Sequence, residues 1–475
     1  MRIMMPSLLA VPIAACLLYA VPSIAYGQTG PKAGQSQTDR LQSADVSAPV
    51  PDFPSVKRTY VSFGLGVYGL MYEPVTPAGK SHIGIFIMHY LADYTNFPAC
   101  AELSKRGYTV LCAKNSGGNL DRVLLDAKSG VAYLRNYPGI RDVILFGHAG
   151  GASLLTAYEL IAENGAKACQ DSAKIIKCPD TLTGFPKADG MVLADTELGV
   201  AESMLTSIDP AVVDEGSGMK INPELDAFNP KNGFDPNGSS DYSKEFLDRF
   251  QRAVARRNNQ LIDSALARLA AIEAGKGHFA DDEAFTVPGA GSTIPNHKII
   301  PNDLRLMSHT KKAWPLLHAD GSMTTEIVHS VRVPEIRNSF TSSFDIGAVN
   351  TTVRTFLIDH AIRVTDDFGI DEDSVHGVIW KSSYSSAVGN IESIKVPLLV
   401  MGMTGTTAYL AGEVTYEHAK SPDKSLVFVE GASHTYETCK KCEKYPGQFG
   451  DTTKIVFDYI DQWLSHDGRF TAGQP

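Results

Sequence analysis

The stretch DVILFGHAGGASLL, residues 142–155, decides the fold. Val143 to Phe146 form a short, unbroken apolar run, the character of a strand buried on both faces. Gly147-His148-Ala149-Gly150-Gly151 then makes a tight turn, and Ser153-Leu154-Leu155 opens a helix. Glycines stand two before and two after the apex, because so sharp a turn brings backbone segments too close for side chains. Strand, turn and helix at this spacing are the pattern of a nucleophile elbow, G-x-S-x-G. The apex residue here is Ala149, so the scaffold for a nucleophile is present and the hydroxyl is not.

Outward from the elbow, strands and helices alternate. Residues 58–64 and 67–73 read as paired strands, 82–89 and 108–113 as buried strands, and 99–106 and 120–137 as helices. The second helix carries Val123, Leu124, Ala127, Val131 and Leu134 at helical spacing. Downstream, the elbow helix runs to about Gly165 and a further strand spans 190–195. From about 200 to 392 the chain is loop-rich, with one strongly periodic helix at 245–274, and reads as a cap or lid insertion. Alternation resumes with strands at 396–402 and 425–430 and helices at 413–420 and 452–464. Such alternation predicts an α/β, doubly wound, mostly parallel sheet, with the first two strands as an antiparallel edge. The expected organisation is a core of 56–199 and 393–475 carrying the insertion 200–392.

The N-terminus reads as a targeting segment. Arg2 precedes an apolar run from Leu8 to Ala20, too short for a membrane span, and small residues follow at Ser23, Ala25 and Gly27. A cleaved secretory signal over 1–27, a disordered Ser/Gln/Pro/Gly-rich linker over 28–55, and a secreted or periplasmic protein are expected. Ile13-Ala14-Ala15-Cys16 resembles a lipobox, the less favoured alternative because apolar residues continue past Cys16. Six cysteines remain: Cys100, Cys112, Cys169, Cys178, Cys439 and Cys442. An even number in an exported chain points to disulfides, with Cys169/Cys178 and Cys439/Cys442 as the local pairs. The C-x-x-C pair lacks the second pair or histidines of a zinc site. A net charge of −10 argues against a nucleic-acid partner.

The elbow, the strand ending at His89-Tyr90, the insertion after Asp195 and the late Gly431-Ala432-Ser433-His434 together resemble the α/β-hydrolase fold over about residues 56–470. The resemblance implies a catalytic site in the order elbow, acid, histidine. His434, just after the last strand, is then the general base, since an imidazole titrates near neutrality. No carboxylate follows the strand 396–402 directly. Glu413 is the first choice of acid, reaching back from its helix, and it otherwise only favours the helix N-terminus. Glu197 is the alternative acid, from the region after the preceding strand that also holds Asp195. The oxyanion hole implied is made of backbone N–H groups of Gly150 and a residue near Tyr90, or Tyr90 is a pocket wall. His148 and His89 read as packing residues, and Ser153, one turn into the helix, points away from the apex.

Two functional readings stand. In one, the chain is an exported esterase scaffold for small carboxylic esters or lactones, with serine replaced by Ala149 and turnover suppressed, since a methyl group cannot attack a carbonyl. In the other it is a natural non-catalytic protein of the same fold that binds a small ligand or a partner protein. No metal or cofactor motif stands out, and oligomeric state is not legible.

Overall fold

The computed structural model describes residues 54–76, 79–216, 219–291, 297–335, 343–466 and 469–470. The expected signal segment, and the linker up to residue 53, lie outside the described residues.

The elbow strand sits at the centre of a ten-stranded sheet of order β1-β2-β4-β3-β5-β6-β13-β14-β8-β9. Its early strands are β1 (Val56–Gly64), β2 (Val67–Pro74), β3 (Ile83–Met88), β4 (Thr109–Lys114), β5 (Asp142–Ala149) and β6 (Gly190–Thr196). β13 (Leu398–Met403) and β14 (Lys424–Val429) come late in the chain. β4, β3, β5, β6, β13 and β14 run parallel, and β1 and β2 form the expected antiparallel edge. Each parallel strand alternates its side chains at period two, so successive apolar residues fill opposite faces. Phe86, Leu111, Leu145 and Leu193 pack on one face with α2 (Leu120–Arg135) and α3 (Gly151–Asn164). Ile87, Cys112, Phe146 and Val192 pack on the other with α1 (Pro98–Lys105) and the C-terminal helix, Thr452–Leu464. This is a doubly wound, mostly parallel α/β sheet.

The segment 200–392 departs from a self-contained insertion. β8 (His309–Leu317) runs parallel to β14, with Leu316 opposite Phe428, and β9 (Met323–His329) closes that edge antiparallel to β8. These two strands, in the middle of the segment, belong to the central sheet. The rest of the segment follows α4 (Val200–Ser207) and holds the long helix α5 (Lys244–Glu273) with two small two-stranded sheets. These pair β7 (Ala284–Pro288) with β10 (Ala348–Thr352), and β11 (Val364–Ile370) with β12 (Val375–Val378). Ser243 caps α5 by accepting from the Phe246 N–H at 3.2 Å. Its side chains serve the backbone beside it: Gln251 donates to Ile370 O at 2.9 Å and Asn258 to Ile362 O at 2.8 Å.

Three disulfides join Cys100–Cys112, Cys169–Cys178 and Cys439–Cys442. The first ties α1 to β4, and the other two are the local pairs. Among the described residues no helix is long and apolar enough to cross a membrane.

Candidate active site

β5 delivers its last residue, Ala149, to the apex of the turn, with φ of +48°. This left-handed conformation is unfavourable for any residue with a Cβ, by about 1 kcal/mol. It is held because the surroundings leave no alternative. A Cβ on Gly147 would stand 2.8 Å from a Leu193 methyl, and one on Gly151 would stand 2.9 Å from Met88 O. The glycines thus let β5, β6 and β3 close around the turn. Ala149 is 5% exposed, at the edge of the buried core.

His434, in the loop after β14, meets the C-terminal end of β6. Its Nδ1 donates to Asp195 Oδ2 at 2.6 Å. Asp195 is fully buried, and its other oxygen accepts from the Met403 N–H at 3.2 Å and the Thr406 hydroxyl at 3.3 Å. Both carboxylate oxygens are therefore hydrogen-bonded, as a buried charge requires. Burial pulls His434 down, but the Asp195 hydrogen bond and charge, with the charge of Glu197, outweigh it and hold the imidazole above its ordinary value. Nδ1 carries the proton, and Nε2 has no hydrogen-bond partner among the described residues.

The acid on His434 is thus Asp195, and not Glu413. Glu413 sits in the helix Leu410–His418 and accepts from the Lys311 N–H at 2.9 Å, the Lys312 N–H at 3.0 Å and the Trp314 indole at 2.6 Å. Both its oxygens fasten β8 to the helix layer. Glu197, the alternative, accepts from the Ser203 hydroxyl at 2.7 Å and acts on His434 only through its charge.

Next to the elbow lies a bed of aromatic rings. Tyr94 stacks on Phe97 and on His89, with centroids 4.3 and 4.6 Å away. His148 is buried; its Nε2 lies 2.6 Å from His434 O and its Nδ1 lies 2.7 Å from the Tyr94 hydroxyl. A carbonyl only accepts, so Nε2 bears the proton and Nδ1 accepts from Tyr94. Donor atoms of His148, Asp195 and His434 come within 4.8 Å of one another. His148 nonetheless has no lone pair left for a cation, and its role is to fix the backbone of the His434 loop.

The loop after β3 is ordered by two side chains. His89 Nδ1 accepts from the Leu91 N–H at 3.0 Å and the Ala92 N–H at 2.8 Å, so its proton is on Nε2. Burial, then the charge of His434, lower His89 to about 3 and keep it neutral. Asn115 donates to the carbonyls of His89 at 2.8 Å and Tyr90 at 2.9 Å. Among the described residues, this leaves the N–H groups of Tyr90 and Gly150 without partners. Gly150 also stands at the start of α3, where the helix leaves its first N–H groups open and favours negative charge. Its missing Cβ would sit 3.0 Å from His89 Nε2, so the imidazole covers this peptide. The Tyr90 ring is buried and its hydroxyl donates to Asp359, whose other oxygen accepts from the Leu120 N–H at 2.8 Å. Ser153 faces away, accepting from the Val200 N–H at 2.9 Å.

Close to the pair, on the Glu197 side, lies a small cleft of about 40 Å³. Glu197 and Glu202 are on its wall with apolar residues that include Leu198, Ile300 and Met307. Thr407, adjacent to the Asp195 partner Thr406, is also on the wall.

No family model matches the sequence, and no curated protein matches it. Among solved structures the chain is similar to a hypothetical protein from Pseudomonas aeruginosa, at 12% identity over 89% of this chain and 97% of that one, with a TM-score of 0.37. It is similar to a hormone-sensitive lipase from a metagenome library, at 12% identity over 88% of each chain, with a TM-score of 0.39. A homologue of hormone-sensitive lipase, also from a metagenome library, matches at 11% identity over 91% of this chain and 93% of that one, with a TM-score of 0.38.

Proposed function

We propose that this chain carries the acyl-transfer site of an exported hydrolase for small carboxylic esters or lactones, with Ala149 at the nucleophile position. The observation that carries the reading is the hydrogen bond from half-buried His434 to buried Asp195 beside an elbow whose apex holds φ of +48° without a serine to benefit from it. Strain of this kind persists where the surrounding structure over-determines it, and it clusters at functional sites.

With serine at 149, the hydroxyl oxygen attacks the ester carbonyl carbon while His434 Nε2 takes its proton. Asp195 holds the Nδ1–H tautomer and stabilises the imidazolium. The carbonyl oxygen gains its negative charge against the N–H groups of Gly150 and Tyr90. Collapse of the tetrahedral intermediate expels the alkoxide, which His434 protonates, and water repeats the sequence to release the acid. With Ala149 only water can attack, and the rate falls by orders of magnitude. The part of 200–392 outside β8 and β9 serves as a cap over the cleft and sets specificity. The three disulfides support export to an oxidising compartment.

The alanine itself favours a second reading, a ligand-binding protein on the same scaffold. Ala149→Ser, assayed on short- and medium-chain aryl esters and simple lactones, separates the two. Activity that appears with Ala149→Ser and disappears with Ala149→Ser/His434→Ala supports the hydrolase. A folded Ala149→Ser protein with no activity across the panel refutes it.

A further inference from the structure

The cleft beside His434 has a charge pattern that ester hydrolysis does not need. Glu197 and Glu202 both face it, and each is anchored the same way. One oxygen of Glu197 accepts from the Ser203 hydroxyl at 2.7 Å, and one oxygen of Glu202 accepts from the Ser386 hydroxyl at 2.7 Å. Ser386 is itself fixed, accepting from the Gly389 N–H at 3.1 Å. The second oxygen of Glu202 is buried with no hydrogen-bond partner among the described residues, although the residue is only 3% exposed. A buried carboxyl oxygen without a donor is unfavourable, so such a group in a cleft is expected to meet a donor from outside the chain. Much of the remaining wall is hydrocarbon, from Leu198, Ile300, Met307 and Ile370.

We propose that this cleft is a subsite for an organic ammonium group, its charge set between Glu197 and Glu202 and its carbon chain against the apolar wall. The proposal rests on the hydrolase reading for its consequence: the substrate is an ester or lactone bearing a basic amine. An ammonium supplies donors and a positive charge, and its carbon skeleton suits the apolar wall. Burial raises both carboxyls, Glu202 to about 8, so the charged pair needs a cation beside it; a neutral alcohol supplies one donor and no such charge.

The test uses the chain as it exists, with Ala149, so that binding is read without turnover. The full chain is titrated calorimetrically with 3-phenylpropylamine and with its neutral counterpart 3-phenylpropanol, at a mildly alkaline pH at which the amine is still charged. The amine is expected to bind at least about tenfold more tightly than the alcohol. Glu202→Gln, which keeps the side-chain shape, is expected to reduce that ratio to near one, and Glu197→Gln to reduce it in part. Thermal melting of both variants checks that the fold is retained. Equal binding of amine and alcohol, no binding of either, or an unchanged ratio in both folded variants overturns the proposal. None of these outcomes bears on whether Ala149→Ser restores esterase activity, so failure of the subsite and failure of the hydrolase reading are separable.

Discussion

Asp195→Asn, made in the Ala149→Ser background, tests the site at its most specific point. The carboxylate has two differently occupied sides. Oδ1 accepts from the Met403 N–H and the Thr406 hydroxyl, and Oδ2 accepts from His434 Nδ1. An asparagine of the same shape must keep its oxygen toward the two donors, because an amide nitrogen there would face an N–H. Its NH2 then turns to His434 and donates. The imidazole is forced to accept at Nδ1 and to carry its proton on Nε2, the tautomer that cannot act as base toward residue 149. Loss of the correct tautomer in a serine triad lowers kcat on the order of 10⁴-fold, about 5 kcal/mol of transition-state stabilisation. The His434 titration, followed by NMR of the imidazole, is expected to move to lower pH, since the group that held it up is gone. The assay is steady-state hydrolysis of the best aryl ester of the Ala149→Ser panel, with circular dichroism to show that the fold survives. A loss of less than tenfold in Asp195→Asn, with a loss of thousands in Glu413→Gln, would refute the reasoning and return the acid to the helix Leu410–His418.

Other outcomes follow from the same contacts. Glu413→Gln is expected to leave kcat within about twofold while lowering stability by about 3 kcal/mol, read by denaturant unfolding, because one amide oxygen cannot serve the three donors that the carboxylate holds. In the Ala149→Ser form kcat/KM is expected to rise with pH through a midpoint above 6.5, since the neutral imidazole is the active base and the pairing raises its pKa. Glu197→Gln removes one of the charges that raise it and is expected to move that midpoint to lower pH in a pH–rate profile. Tyr90→Phe takes a donor from the buried Asp359 and is expected to lower stability by about 1–3 kcal/mol. It is also expected to lower kcat more than it raises KM. Replacing Cys100 and Cys112 together by alanine opens a loop of sequence separation 12 and is expected to lower stability by about 3 kcal/mol in thermal or denaturant unfolding.

Most of the sheet was legible because its strands are short apolar runs and its helices keep one apolar face. The elbow at 142–155 was readable because glycine spacing reports a backbone that no other residue fits. The part played by Glu413 was not legible, for a topological reason. The donors to Glu413 come from Lys311, Lys312 and Trp314, about a hundred residues earlier, in a segment whose poor periodicity hid β8 and so hid the job this carboxylate does. Asp195 lies close to Glu197 in sequence but within the last residues of β6, where it reads as a strand end. The usable signal was a carboxylate closing a wholly buried strand, which must find a hydrogen-bonding partner. The Cys100–Cys112 bridge joins a helix to a strand, so local spacing did not suggest it. The orientation of Tyr90 toward Asp359 depends on a contact across 269 positions that no sequence pattern encodes.

The central claim is that residue 149 occupies the position of an attacking nucleophile served by His434. Its most direct test is pre-steady-state hydrolysis of an activated aryl ester by Ala149→Ser, with intact-mass analysis of the quenched protein and peptide mapping of the adduct. A burst of phenol approaching one per chain, with the acyl group located on residue 149 and absent from Ala149→Ser/His434→Ala, is the result the account predicts. A folded Ala149→Ser protein that shows no burst and takes up no acyl group, or one that is acylated at another residue, would contradict it.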